Sequence, residues 1–123
     1  SLGKLKIIGR KKDLIVTSGG DNISPTKIES ILTSYSKIIQ AIIYGDNRPY
    51  VIAIVVCEKN VTKVQIRKIV NLINKTLNIP EKIRKFVLLD ELFTYENGLL
   101  TQTLKIKRSE VVKRYYQEIN SLY

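Results

Sequence analysis

The chain has 123 residues, 44% of them apolar, with one cysteine and no histidine. That is enough for one domain with a modest core, and it excludes an internal disulfide framework, the usual zinc spacings and a Ser-His-Asp or Cys-His catalytic site built from this chain alone. Twenty-one Lys and Arg against 11 Asp and Glu give a formal charge of +10, which points to an anionic partner: cofactor phosphates, a nucleic-acid backbone or an acidic membrane.

Leu5 to Ile8 and Leu14 to Thr17 read as two short strands around the polar turn "GRKKD". "SGGDN" follows, with Gly19 and Gly20 adjacent, where backbone can take φ > 0 or lie close to a ligand. Ser24-Pro25 is a helix start, and Ile28, Ile31 and Leu32 continue at helical spacing to about Ser34. "IIQAIIYG" and "YVIAIVVCE" are β-rich runs joined by "DNRP", a hairpin signal with mostly buried strands. Cys57, inside the second run, reads as a core thiol.

Thr62 opens a second helix with capping-box spacing to Gln65; Ile66, Ile69, Val70, Ile73 and Leu77 make its apolar face, and Asn78 and Pro80 end it. "KIRKFVLLDE" holds a third sheet strand, "LFTYENGLLTQT" is loop-like, and Ser109 caps a last helix with Val112, Tyr115, Tyr116 and Ile119 on one side. The order predicts a single α+β domain over residues 1–123: a small, mostly antiparallel sheet of about three strands flanked by helices and preceded by a short β-hairpin. No apolar run approaches the roughly 18 residues of a membrane span, and no signal-peptide pattern is present. The chain begins at Ser1 with residues that already read as structure, so a fragment of something longer is expected. The lack of disulfide chemistry favours a reducing compartment such as the cytoplasm.

Two stretches carry a family resemblance. "GRKKDLIVTSGGDNISPTKIES" resembles the start of the C-terminal domain of the adenylate-forming superfamily, which includes acyl-CoA synthetases, peptide-synthetase adenylation domains and luciferases. The matching residues are Gly9, Arg10, Asp13, Leu14, Ile15, Ser18, Gly19, Ile28 and Glu29. "LLTQTLKIKRSEV" resembles the superfamily's last block, with wording similar to the long-chain fatty acyl-CoA synthetase branch.

The resemblance implies a mobile C-terminal lid domain of a long-chain fatty acid–CoA ligase. Such an enzyme joins a fatty acid to ATP as acyl-AMP with release of pyrophosphate, then passes the acyl group to CoA. It implies Lys105 as the adenylation lysine, Lys12 as the hinge within residues 1–12, Arg10 at the nucleotide, and Gly19 and Gly20 along the CoA channel. ATP, Mg2+ and CoA are then the reaction partners, held mainly by the enzyme's own N-terminal domain, with no metal ligands and no nucleic-acid partner expected here. The parent is expected in the cytoplasm, with peripheral membrane association left open, and the isolated piece is expected to be inactive. Gln102 stands where the superfamily usually has Pro, and Leu104 where other branches have Gly. Lys107 and Arg108 remain open between CoA, pyrophosphate and water.

Two rivals dispense with catalysis. A nucleic-acid module would use "KIKR" with Tyr115 and Tyr116 for phosphate contact and stacking, although no signature of such a module is present. An interaction domain would dock an acidic partner by charge alone.

Overall fold

The computed structural model describes residues 14–123. In chain order these form β1 (Ile15–Val16), β2 (Asn22–Ile23), α1 (Pro25–Thr33), β3 (Ile38–Tyr44), β4 (Val51–Cys57), α2 (Lys63–Asn74), a 3₁₀ turn (Ile79–Glu81), β5 (Ile83–Leu89), α3 (Arg108–Arg114) and α4 (Tyr116–Asn120).

β4 is the central strand of the three-stranded sheet β3-β4-β5. Val51 to Val56 are all buried, as a strand covered on both faces requires. Period-two alternation sorts these side chains into two cores. Val51, Ala53 and Val55 pack with Ile28, Leu32, Ile66 and Ile73 of α1 and α2. Ile52, Ile54 and Val56 pack with Phe93, Leu99, Val111 and Ile119 of the C-terminal region. The sheet therefore carries α1 and α2 on one face and the segment 93–123 on the other.

The α+β reading, the three-strand sheet and the two middle helices agree with the structure. Thr62 caps α2 with the reciprocal Gln65 bonds of a capping box: Gln65 N–H donates to Thr62 Oγ1 at 3.3 Å and Thr62 N–H to Gln65 Oε1 at 2.9 Å. Three details differ. β3 and β4 pair antiparallel, but β4 and β5 pair parallel, so the sheet is mixed. The crossover through α2 makes this possible, since a helical connection can return the chain to the same end of the sheet. The hairpin pairs β1 with β2 around "TSGGD", with Ile15 opposite Ile23, whereas the expected partner strand Leu5–Ile8 lies outside the described residues.

The last helix begins at Arg108 with Lys107, not Ser109, as its N-cap, and it breaks at Tyr115 (φ −111°, ψ 26°). In one continuous helix, residues 111 and 119 would point about 80° apart. With the break, Val111 and Ile119 both reach full burial, while Tyr116 turns outward. Glu91 braces the break, accepting from Tyr115 Oη at 2.8 Å and Arg114 Nη2 at 3.0 Å.

Side-chain amides order the long connections. Asn74 exchanges two 2.8 Å hydrogen bonds with the backbone of Ile83, fixing the end of α2 to the start of β5. Gln40 does the same for Phe93, at 2.7 and 3.0 Å. Asn97 Oδ1 accepts from the N–H groups of Thr94 and Leu99, and its Nδ2 donates to the Leu92 carbonyl. The segment read as loop-like is thus irregular but closely hydrogen-bonded.

Candidate functional site

Lys105 sits on a tight turn at the surface. The N–H of Leu104 donates to the Thr101 carbonyl at 2.9 Å, and the N–H of Thr101 to the Lys105 carbonyl at 2.8 Å. A bridge between Leu100 and Ile106 and a 2.8 Å bond from Lys107 N–H to the Leu99 carbonyl extend the pairing below. Thr101 Oγ1 also accepts from Lys105 N–H at 3.1 Å. Leu104 has φ 65°. The pattern is a three-residue hairpin loop: a β-turn from Thr101, then a left-handed residue that bulges the strand.

That geometry shows what both departures of the sequence change. Gln102 occupies the second position of the turn, where proline's fixed φ fits. Leu104 occupies the left-handed position, where glycine is at ease and a leucine is strained by roughly 1–2 kcal/mol. Leu104 is also 72% exposed, so packing does not compensate.

The base of the turn is held by Leu99 and Leu100 in the second core and, beyond it, by Arg108. Arg108 Nη2 donates to Glu29 Oε1 and Oε2 at 2.6 and 2.8 Å. Glu29 Oε2 in turn accepts from the N–H of Ile43 in β3 at 2.8 Å. One carboxylate on α1 therefore joins the helix, the sheet and the segment that carries Lys105. Arg108 is committed to this contact, and Tyr115 to Glu91, which takes two of the groups that a nucleic-acid reading would need.

Gly19 and Gly20 form the tip of the β1–β2 hairpin. Gly20 has φ +88° with nothing within 4 Å of where a Cβ would stand, so backbone conformation alone demands glycine. Gly19 has no such demand, and a Cβ there would meet Asp21 Oδ2 at an ordinary 3.7 Å. The hairpin rests on the β3–β4 turn. Val16 N–H donates to Asp46 Oδ1 at 3.1 Å, Asn47 N–H to the Val16 carbonyl at 2.9 Å, and Ser18 N–H to the Arg48 carbonyl at 2.9 Å.

Arg48 then reaches the C-terminal segment, donating to Asn120 Oδ1 at 2.8 Å with its guanidinium 4.6 Å from the Tyr123 ring centre. The Tyr123 ring stacks on Tyr50 at 4.8 Å, and its hydroxyl donates to the Tyr50 carbonyl at 2.9 Å. Burial pushes the Tyr123 phenol well above its ordinary value. Burial likewise raises the Cys57 thiol, with the charge of Asp90 adding to it, which agrees with an unreactive position.

The side chains anchoring the two tips belong to opposite faces of the sheet: Ile15 and Ile23 to the core under α1 and α2, Leu99 and Leu100 to the other. Arg10 and Lys12 lie outside the described residues. Among the described residues, no group of three or more His, Cys, Asp or Glu is placed to hold a metal ion.

Residues 12–123 match the family described as AMP-binding enzyme C-terminal domain. The chain belongs to that family. The adenylation domain of a carboxylate reductase from Mycobacterium chelonae superposes with a TM-score of 0.83 at 25% identity, over 93% of this chain and 20% of that one. A carboxylic acid reductase A domain from Segniliparus rugosus, solved with AMP and a co-purified carboxylic acid, gives 0.77 at 26% identity, over 93% of this chain and 20% of that one.

Among curated relatives of the AMP-binding C-terminal domain, a long-chain-fatty-acid–CoA ligase of Mycobacterium tuberculosis is 30% identical over 98% of this chain and 24% of its own length. Long-chain-fatty-acid–CoA ligase 5 of Mus musculus is 32% identical over 98% of this chain and 21% of its own length. The chain thus spans about a quarter or less of these relatives. The resemblance to adenylate-forming enzymes read from the two motifs holds.

Sequence reasoning missed the supports of this domain's two tips. In the sequence Glu29 stands out only as a motif residue, Arg108 has no assigned contact, and Asp46 and Arg48 read as part of the turn "DNRP". The signal for Asp46 was the "GDN" before Arg-Pro: a short carboxylate beside a residue tolerant of φ > 0, which Asn47 adopts at 58°.

Proposed function

We propose that this chain is the mobile C-terminal domain of a long-chain fatty acid–CoA ligase, and that Lys105 serves the adenylation step. The observation that carries the reading is the family membership together with a lysine held out on a preformed surface turn. In the first step a fatty acid carboxylate oxygen attacks the α-phosphorus of ATP and pyrophosphate leaves. Two anionic groups must approach, and the Lys105 ammonium between them would offset the repulsion and orient the attack. Lysine suits this place because its charge is compact and its stem reaches into a neighbouring domain.

In the second step the CoA sulfur attacks the acyl carbon and AMP leaves. The Gly19–Gly20 tip would line the narrow passage for the pantetheine arm, where side chains would obstruct it. Anchorage of the two tips to opposite cores supports a domain that turns a different edge to each step. Lys12 would be the hinge, and Arg10 would contact the nucleotide. ATP, Mg2+, CoA and the fatty acid would be bound mainly by the N-terminal domain, the partner that this reading requires. On this reading the parent enzyme would work in the cytoplasm, with peripheral association at a membrane left open.

The test separates the half-reactions in the full-length parent carrying Lys105→Ala. Pyrophosphate release from ATP and fatty acid should be lost, while thioester formation from preformed acyl-adenylate and CoA should survive. Survival of both would remove Lys105 from the chemistry. Loss of both in a folded protein would overturn the division between two edges. The 123-residue chain alone should show no turnover.

A further inference from the structure

The basic charge is unevenly spread. Between Lys59 and Lys85 there are eight Lys or Arg and one Glu, a net +7 of the chain's +10. From Lys59 to Pro80 there is no carboxylate at all. This segment contains α2, whose buried stripe, Ile66, Ile69, Val70 and Ile73, faces the sheet. The opposite stripe is Val64, Lys68, Leu72 and Lys75, all exposed; Lys63, also exposed, opens the helix about 100° round from Val64.

Helix stability does not account for these cations. Lys63 opens α2 at the end where a positive charge opposes the helix dipole, and no acidic residue lies in the first turn. Among the described residues, no salt bridge engages Lys63, Lys68 or Lys75. Three apolar residues in this segment are exposed as well. Val64 is 64% exposed, Leu72 53%, and Ile79, just beyond the helix, 69%. Three aliphatic side chains thus stand in water within this lysine-rich segment, and α2, which carries two of them, packs on the sheet face opposite the core that anchors the Lys105 turn.

We propose that the outer face of α2, with Ile79, docks on an anionic phospholipid surface. The lysines would meet lipid phosphates and carboxylates while Val64, Leu72 and Ile79 enter the boundary between headgroups and acyl chains. Lysine stems suit this, lying along the apolar layer with the ammonium at the headgroups. A nucleic acid fits less well, because the face has no exposed aromatic ring for base stacking and a phosphate backbone gives aliphatic side chains nothing to enter. The inference stands on the helix face alone and does not depend on Lys105 or on the ligase reading.

The test is co-sedimentation of the 123-residue chain with vesicles of phosphatidylcholine, alone or mixed with phosphatidylserine. Binding is expected only to the mixed vesicles. The triple variant Lys63→Gln, Lys68→Gln, Lys75→Gln should bind about a hundredfold more weakly. The charge-matched triple Lys37→Gln, Lys107→Gln, Lys113→Gln should stay within about twofold of wild type. Val64→Ser with Leu72→Ser should weaken binding about tenfold while leaving the salt dependence in place. Lysine-to-arginine replacement at positions 63, 68 and 75 should restore binding, and thermal unfolding should be unchanged in every exposed-site variant.

Equal losses in the two lysine triples would reduce the effect to net charge and overturn the docking face. So would absence of binding to the anionic vesicles. Binding of a DNA duplex through the same three lysines, indifferent to Val64 and Leu72, would replace the lipid with a polyanion.

Discussion

Arg108 and Glu29 lie 79 residues apart in sequence and meet through two hydrogen bonds of 2.6 and 2.8 Å. The carboxylate also accepts from the Ile43 N–H, so it cannot be lost without freeing a sheet amide and an arginine together. Arg108→Gln should cost about 1.5–3 kcal/mol of stability, the range for hydrogen bonds to charged groups. Glu29→Gln should cost a similar amount, and the double variant clearly less than the sum. Urea unfolding of the four proteins checks this; simple additivity would mean that the contact contributes nothing of its own.

The Lys105 turn offers a contrast in backbone chemistry. Leu104→Gly should stabilise the domain by about 0.5–1 kcal/mol, because relief of the left-handed strain exceeds glycine's entropic cost. Gln102→Pro should add about 0.4–1 kcal/mol by restricting the unfolded chain. Thermal midpoints report both. Destabilisation by proline would indicate that the 3.3 Å contact from Gln102 Nε2 to Tyr95 Oη outweighs the turn preference.

At the hairpin tip, stability and function should separate. Gly20→Ala should destabilise by about 1–2 kcal/mol, since alanine would be forced to φ +88°. Gly19→Ala should be close to neutral in stability. In the full-length parent, however, the added methyl of Gly19→Ala should raise the KM for CoA and slow thioester formation without changing pyrophosphate release. An unchanged KM for CoA would remove Gly19 from the proposed channel.

Alkaline pH should loosen the C-terminal segment. The folded-state pKa of Tyr123 is raised, so its contribution is fully present below the unfolded value of about 10 and declines as pH rises towards the folded one. Urea midpoints should therefore fall above about pH 10. Tyr123→Phe should be less stable at pH 8, having lost the bond to the Tyr50 carbonyl, but should decline less steeply. Parallel pH profiles would show that another group governs the alkaline transition.

Much of this molecule was legible in its sequence because local chemistry and packing agreed. The capping box at Thr62 and the two β-rich runs around "DNRP" each had a short-range cause. The direction of β5 had none: "KIRKFVLL" reads the same in a parallel or an antiparallel pairing, and only the crossover through α2 decides. The break at Tyr115 escaped for a similar reason, since it follows from two residues, Val111 and Ile119, both being drawn into the same core. Of the candidate site, the motifs single out Lys105 and the glycine tip, whose roles are those proposed above. Their supports were not legible, because Glu29–Arg108 and Asp46–Val16 are contacts between distant segments with no periodic trace.

The turn that presents Lys105 is closed by its own neighbours. Its hydrogen bonds run between Thr101, Leu104 and Lys105, with Leu99 and Lys107 completing the ladder. A loop defined over so few residues has its backbone ordered when the domain folds, not when it meets another surface. A lid that approaches and withdraws in every catalytic cycle would otherwise have to immobilise several backbone residues at each approach, at roughly 1–2 kcal/mol apiece. On the reading proposed above, only the Lys105 stem would remain to be ordered on arrival, and the domain could be rapid in both directions.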